Sequence, residues 1–476
     1  MSTASAKVAD LTANFSGPVL VPGDGSYDTV RRVHNGMVDK RPAIIARCRG
    51  VADIAAAVRF ARSSNTPVAI RGGGHNVSGR ATIEGGMMID LSLMKGVQVD
   101  PRAGTARAQG GVTWGEFNRD TQAYSLACTG GVVSTTGIAG LTLGGGLGWL
   151  LGTHGLSIDN LRSVELVTAQ GEIVFASPDE HQDLFWGLRG GGGNFGVAAS
   201  FEYGLHPVGP MVYGGPVLHP FAAAEDVLRF FRDFTANLPD EVTLFFGFLH
   251  APDGSGNKLV GIVAGYNGPP SEGERVLAPL KQFGTPVVDA IGSIPYCQLN
   301  TLFDASLAPG LRNYWKSSFF AELSDEAIRA AVDAFASVSS PISQLMVEHI
   351  HGATSRVAVD ATAFPHRRDG YNFVFVSQWT DPAEDNRHMT WTRAAYASLQ
   401  PFTAAARYVN YLDHDDVGDA AAAAYGSNYP RLQAIKAQYD PDNFFSQNLN
   451  IRPAQRPAQR PADQAARSGA HGGAVV

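Results

Sequence analysis

The chain has 476 residues, 44% of them hydrophobic, and a formal net charge of −7. That length allows two or more domains with a sizeable core, and the mildly acidic balance argues against nucleic acid or an anionic membrane as partner. Three scattered cysteines, Cys48, Cys128 and Cys297, exclude a disulfide framework or a zinc site. Residues 1–17 lack the apolar core of a secretory signal, and the most apolar window, 137–152, is too short and too broken by glycine to span a bilayer. A cytoplasmic protein is the expectation, and no oligomeric state is assigned.

Apolar periodicity predicts a strand over residues 43–46, an amphipathic helix over 53–61 and a buried strand over 67–70. That strand runs into Arg71-Gly72-Gly73-Gly74-His75-Asn76, where three glycines allow close approach of backbone to a ligand. A strand follows at 86–91, then a hairpin pair at 97–100 and 105–109 and a helix at 114–122. The second glycine cluster, residues 137–148, reads as loop. A hairpin at 164–167 and 172–174 and a helix at 183–188 lead to the third cluster, residues 189–196, and a strand over 197–203. This is an α+β pattern rather than a regular βαβ alternation.

Gly209-Pro210 marks a boundary. Beyond it the glycine clusters stop. Helices are expected over 223–238 and 324–339, and strands over 242–249, 259–266 and 372–378. The end, residues 452–476, repeats RPAQ and has almost no large apolar residue, so it is expected to be disordered.

Gly191 to Gly196 formally matches G-x-G-x-x-G, but a helix precedes it and a strand follows. A nicotinamide-binding Rossmann site needs the reverse order. Consecutive N–H groups of glycine-rich turns instead suit a cofactor pyrophosphate held by loop backbone. His349 and His351 share one strand face, too little for a metal site. His154 reads as a surface or loop residue, and Asp159 as structural.

The three clusters, in this order, resemble the FAD-binding half of the vanillyl-alcohol-oxidase superfamily, and more closely its berberine-bridge-enzyme-like branch of FAD-linked oxidases. Tyr425-Gly426-Ser427-Asn428-Tyr429 and the following Tyr439-Asp440-Pro441-Asp442-Asn443 resemble the C-terminal module of that branch. The resemblance implies an α+β fold with a two-part FAD-binding domain of the PCMH type and a substrate domain whose sheet packs on helices. It divides the chain into an FAD-binding domain (1–205), a substrate domain (206–407), a segment returning to the FAD-binding domain (408–451) and the tail (452–476). It implies FAD bonded through its 8α-methyl to His75. Cofactor contacts are expected at Arg71, Gly72, Gly73, Gly74, His75, Asn76, Ser78, Thr136, Gly137, Gly140, Gly144 and Val197, with Asn410 and Asn450 beside the flavin.

A second, cysteinyl link is not expected, because Val133 stands at its position and Cys128 is out of register. Tyr425 is the first candidate for a catalytic base and Tyr429 the second, on the condition that neighbours lower the phenol pKa. His366 is weighed for the pocket against the ordinary reading of a solvated loop histidine. The implied activity is oxidation of an alcohol, sugar or amine carbon of a small molecule, with O₂ reduced to H₂O₂. The alternatives are a dehydrogenase with another acceptor and a flavin carrier without turnover.

Overall fold

The computed structural model describes residues 11–13, 15–415 and 420–455. The expected disordered tail lies outside the described residues from 456 onward. No helix among the described residues is long and apolar enough to cross a membrane.

The described residues form four sheets, the smallest a two-stranded pair of Leu126–Ala127 with His206–Pro207. The first has four strands in the order Val19–Leu20, Ile44–Arg47, Met87–Asp90, Val68–Arg71. Its last three strands are parallel. Helix Val51–Ser63 supplies the crossover, burying Ile54, Ala55, Ala57, Val58 and Ala61 on one face. The glycine loop that follows Arg71 therefore leaves the carboxyl end of a parallel strand, where ligands of such sheets gather.

The second sheet is antiparallel, in the order Val97–Asp100, Thr105–Gln109, Val197–Gly204, Leu161–Val167, Ile173–Ala176. Helix Trp114–Gln122 is held at its start by a capping box between Thr113 and Glu116. The second glycine cluster departs from the expected loop, because Ile138–Leu143 forms a helix. Ile138 and Leu143 join the core there, and the Thr142 hydroxyl bonds the Tyr203 hydroxyl at 2.8 Å.

The third sheet is antiparallel and has eight strands. Its main path runs Val288–Asp289, Met211–Pro220, Lys258–Tyr266, Val242–His250, Gln344–Ile350, Gly370–Trp379, Arg312–Phe320, with Gly292–Pro295 paired to Met211–Pro220. Strand alternation sends Leu345, Val347, Phe373 and Phe375 to one face, where helices Ala224–Thr235 and Asp325–Ala336 cover them. Met346, Val374 and Val376 point to the opposite face. The C-terminal stretch then carries helices Ala420–Tyr425 and Tyr429–Tyr439. Leu432 and Ile435 of the latter share a core with Leu184 and Phe185 of helix Gln182–Leu188.

Candidate active site

The three glycine clusters converge, and two of them touch backbone to backbone. A side chain on Gly73 would place its Cβ 2.4 Å from the Gly137 nitrogen, and one on Gly137 would stand equally close to the Gly73 nitrogen. No residue but glycine lets these loops cross so tightly. A Cβ on Gly144 would meet Asn410 Oδ1 at 2.1 Å, so Asn410 seats directly on the second cluster. Its Nδ2 donates to the Leu141 carbonyl (3.1 Å) and to the Tyr408 hydroxyl (2.9 Å). The third cluster receives the chain end. Asn448 Nδ2 donates to the Gly193 carbonyl (2.9 Å), and Asn194 Nδ2 to the Leu449 carbonyl (3.1 Å).

These contacts enclose one large cavity. Gly72, Gly73, Gly74, His75, Asn76, Thr136, Gly137, Gly140, Asn410 and Tyr425 all line it. Arg71, Ser78, Gly144, Val197 and Asn450 do not, and the reasons are local. Arg71 turns its guanidinium to the Val30 carbonyl and lies 3.9 Å from Asp90. Ser78 donates to Asn76 Oδ1 (2.6 Å) and accepts from Arg80 Nε (2.9 Å), propping the loop from behind. Gly144 gives way to Asn410, and Val197 packs into the core beside helix Val51–Ser63. Asn450 keeps a buried Oδ1 without a hydrogen-bond partner.

His75 stands on the wall between cradle and cavity. Its Nε2 is buried and has no hydrogen-bond partner. Its ring stacks on that of His34, centroids 3.8 Å apart and planes 24° from parallel. Burial, with help from His34, pulls the His75 pKa down to about 3, and burial takes that of His34 to about 4. Both rings are neutral near pH 7, so His75 offers a lone pair rather than a charge.

The same cavity is lined by a carboxylate that sequence reasoning missed. Glu348 sits on strand Gln344–Ile350, on the face of Met346, and is 2% exposed. It accepts hydrogen bonds from the Tyr411 hydroxyl (2.7 Å) and Asn372 Nδ2 (2.6 Å). Burial pushes its pKa up to about 7, outweighing the two donors. Burial likewise raises that of Tyr411, and the Glu348 charge adds to the effect. One signal for Glu348 was present in the sequence. It is a lone acidic residue in the otherwise apolar alternation Leu345-Met346-Val347.

The two candidate tyrosines differ from expectation. Tyr425 lines the cavity, but its hydroxyl donates to the Gly191 carbonyl at 3.2 Å, and burial raises its pKa instead of lowering it. The condition set for a phenolate base is not met. Tyr429 lies outside the cavity lining, at the start of helix Tyr429–Tyr439, its ring nearly parallel to that of Tyr425 at 6.3 Å. His366 does not line the cavity and is half-buried. It shares a hydrogen bond of 2.8 Å with the Arg407 carbonyl, and burial lowers its pKa to about 4. His154 ends the short helix Leu151–His154 and stacks on His206 at 3.7 Å, a packed position rather than a loop. Asp159 forms a two-pronged ion pair with the buried Arg367 (2.7 and 2.8 Å), in keeping with a structural part. Val133 lines the cavity and Cys128 does not. Among the described residues no cluster suited to a metal ion occurs.

A cradle of glycine backbone with an orphaned, uncharged imidazole on its wall fits a flavin dinucleotide, and this combination marks an FAD-dependent oxidoreductase. The FAD binding domain family matches residues 42–177, and the berberine and berberine-like family matches 407–452. An FAD-linked oxidoreductase of Dictyostelium discoideum is 30% identical over 453 residues, 94% of this chain and 97% of its own. (R)-6-hydroxynicotine oxidase of Paenarthrobacter nicotinovorans is 30% identical over 460 residues, 92% and 97% of the two chains. The crystal structure of 6-hydroxy-D-nicotine oxidase from Arthrobacter nicotinovorans matches with a TM-score of 0.85 at 28% identity, covering 92% of this chain and 98% of that one. The chain belongs to the berberine-bridge-enzyme-like FAD-linked oxidoreductases, and its α+β fold is that of the vanillyl-alcohol-oxidase type.

Proposed function

We propose that the enzyme is an oxidase that carries FAD covalently on His75 and oxidises an alcohol, sugar or amine carbon of a small molecule. The carrying observation is the buried, unpartnered Nε2 of His75 in the wall of a cavity that also holds the Glu348 carboxyl. Gly72 to Gly74, Asn76, Thr136, Gly137, Gly140 and Asn410 would hold the cofactor, with Arg71, Ser78, Gly144, Val197 and Asn450 supporting the cradle from behind. The chemistry FAD supplies when bound is acceptance of two electrons from the substrate carbon and their passage to O₂, giving H₂O₂.

The chain's own residues handle the proton. Glu348, its pKa near neutrality, takes the proton from the substrate hydroxyl or amine. Tyr411 and Asn372 each donate to one of its oxygens, so they fix the carboxyl plane and steady the ionised form. Tyr408 accepts from the Gly146 N–H (3.1 Å) and from Asn410, tying the returning segment to the second cluster. Tyr425 is assigned to the wall, with Tyr429 behind it. The division at residues 205, 407 and 451 is kept as part of this reading, supported by the separate sheets on either side of Gly209-Pro210. So is a cytoplasmic location, which fits three unpaired cysteines.

Acid precipitation of the purified protein tests the covalent link. Yellow, fluorescent flavin is expected in the pellet of the natural protein and absent from that of His75→Ala. Flavin that stays with the denatured His75→Ala chain would refute the assignment. Peroxide yield against dye reduction separates an oxidase from a dehydrogenase.

A further inference from the structure

We infer that the substrate is a small apolar amine or alcohol, best built on an aromatic or alicyclic ring, and neither a saccharide nor an anion. This deepens the proposed oxidation and rests on it. The eight-stranded sheet turns one face to the cavity, and pleating decides which side chains arrive there. Trp315 pairs with Val376 and Met346 with Val374, and all four line the cavity. Leu307, from the turn Ala305–Leu307, extends the same wall.

The indole N–H of Trp315 is already given to Asn313 Oδ1 at 3.2 Å, so the ring presents carbon. Polar capacity on this wall is concentrated in Glu348 and Tyr411, which are bonded to each other. A saccharide bears a hydroxyl on nearly every carbon, and each must exchange water for a partner on entry. Against Leu307, Trp315, Met346, Val374 and Val376 most of them would find C–H groups.

Charge narrows the class further. An anionic substrate would meet Glu348 in a dry site, at like sign. Among the described residues the cation that lines the cavity is Arg80, which bonds Ser78 Oγ and the Asn448 carbonyl on the glycine-cluster side, and His34 and His75 are held neutral by burial. A protonated amine meets the opposite case. Its charge finds the carboxylate, and its carbon skeleton finds the apolar face. An alcohol needs a single acceptor, which Glu348 offers.

The test titrates the FAD-loaded protein, without O₂, with benzylamine, cyclohexylamine and 4-hydroxybenzyl alcohol, and in parallel with glucose, cellobiose and lactate. Perturbation of flavin absorption reads binding, and bleaching reads reduction. The ring compounds are expected to bind, and the sugars and lactate to leave the spectrum unchanged at equal concentration. Met346→Gln, similar in length but polar, is expected to weaken the ring compounds about ten-fold while FAD content and Tm stay unchanged. Tighter binding of glucose, cellobiose or lactate overturns the inference, as does a spectrum that none of the ring compounds moves. The underlying reading fails on different evidence: an acid pellet free of flavin, or full turnover in Glu348→Gln.

Discussion

The two walls of the cavity are built on opposite principles. The cradle wall is backbone: its loops approach until a single Cβ would clash, as where Gly73 crosses Gly137. The sheet wall is side chain: Trp315, Met346, Glu348, Val374 and Val376 reach the cavity because of strand register alone. A cofactor shared across a family suits a surface with no side chains to vary. A substrate that differs from one relative to the next suits a surface that can be recut by point substitution without moving the fold. On the proposed reading, specificity would reside on the sheet wall and retention of FAD on the cradle.

The sharpest break between the walls is expected from Glu348→Gln. It keeps the shape and, with the Tyr411 hydroxyl turned to accept from the new amide N–H, both hydrogen-bonded neighbours, but cannot take a proton, so flavin reduction by substrate should slow by about 10²–10⁴-fold. FAD content should not change. A variant that turns over at the natural rate would remove the base from the sheet wall altogether.

The pH profile sharpens the same point. A carboxyl raised from 4.5 to about 7 by burial loses its base form as pH falls through 7. Below that point kcat/KM should drop roughly ten-fold per pH unit. His34 and His75, lowered to about 4 and 3, stay neutral across this range and cannot mimic the break. Loss of activity setting in only near pH 4.5 would mean that Glu348 titrates as an ordinary carboxyl and that burial does not govern it.

On the cradle side, Gly73→Ala should destabilise the protein by about 1–3 kcal/mol, the range for an overpacked contact, and lower the fraction of purified chains that carry flavin. A Tm equal to that of the natural protein would show that the two loops do not need their close crossing. The mildest effect is expected from Tyr425→Phe. It removes one hydrogen bond to the Gly191 carbonyl, which also accepts from Asn194 at 2.9 Å, so a loss of about 1 kcal/mol or less is expected, with turnover kept. A drop in rate as large as that of Glu348→Gln would return the base to the cradle side.

What the sequence determined by itself is the cradle. Glycine runs carry their reason locally, because a missing Cβ is a steric fact about one residue. His75 is read from its place at the end of such a run, and the strands and helices around it from their apolar periods. The hydrophobic segments of residues 242–249, 259–266 and 372–378 were legible as strands for the same reason. Tertiary structure alone decided what faces what. Glu348 and Tyr411 are 63 residues apart and meet only because the returning segment lies over the sheet. Tyr425 was chosen by its motif, but the Gly191 carbonyl that accepts its hydrogen bond comes from a distant cluster. The stacking of His34 on His75 and the helix inside the second cluster belong to the same class. Close approach of backbone is encoded residue by residue. The pKa of a carboxyl and the chemistry of a wall depend on burial, which arises when separate segments fold onto each other.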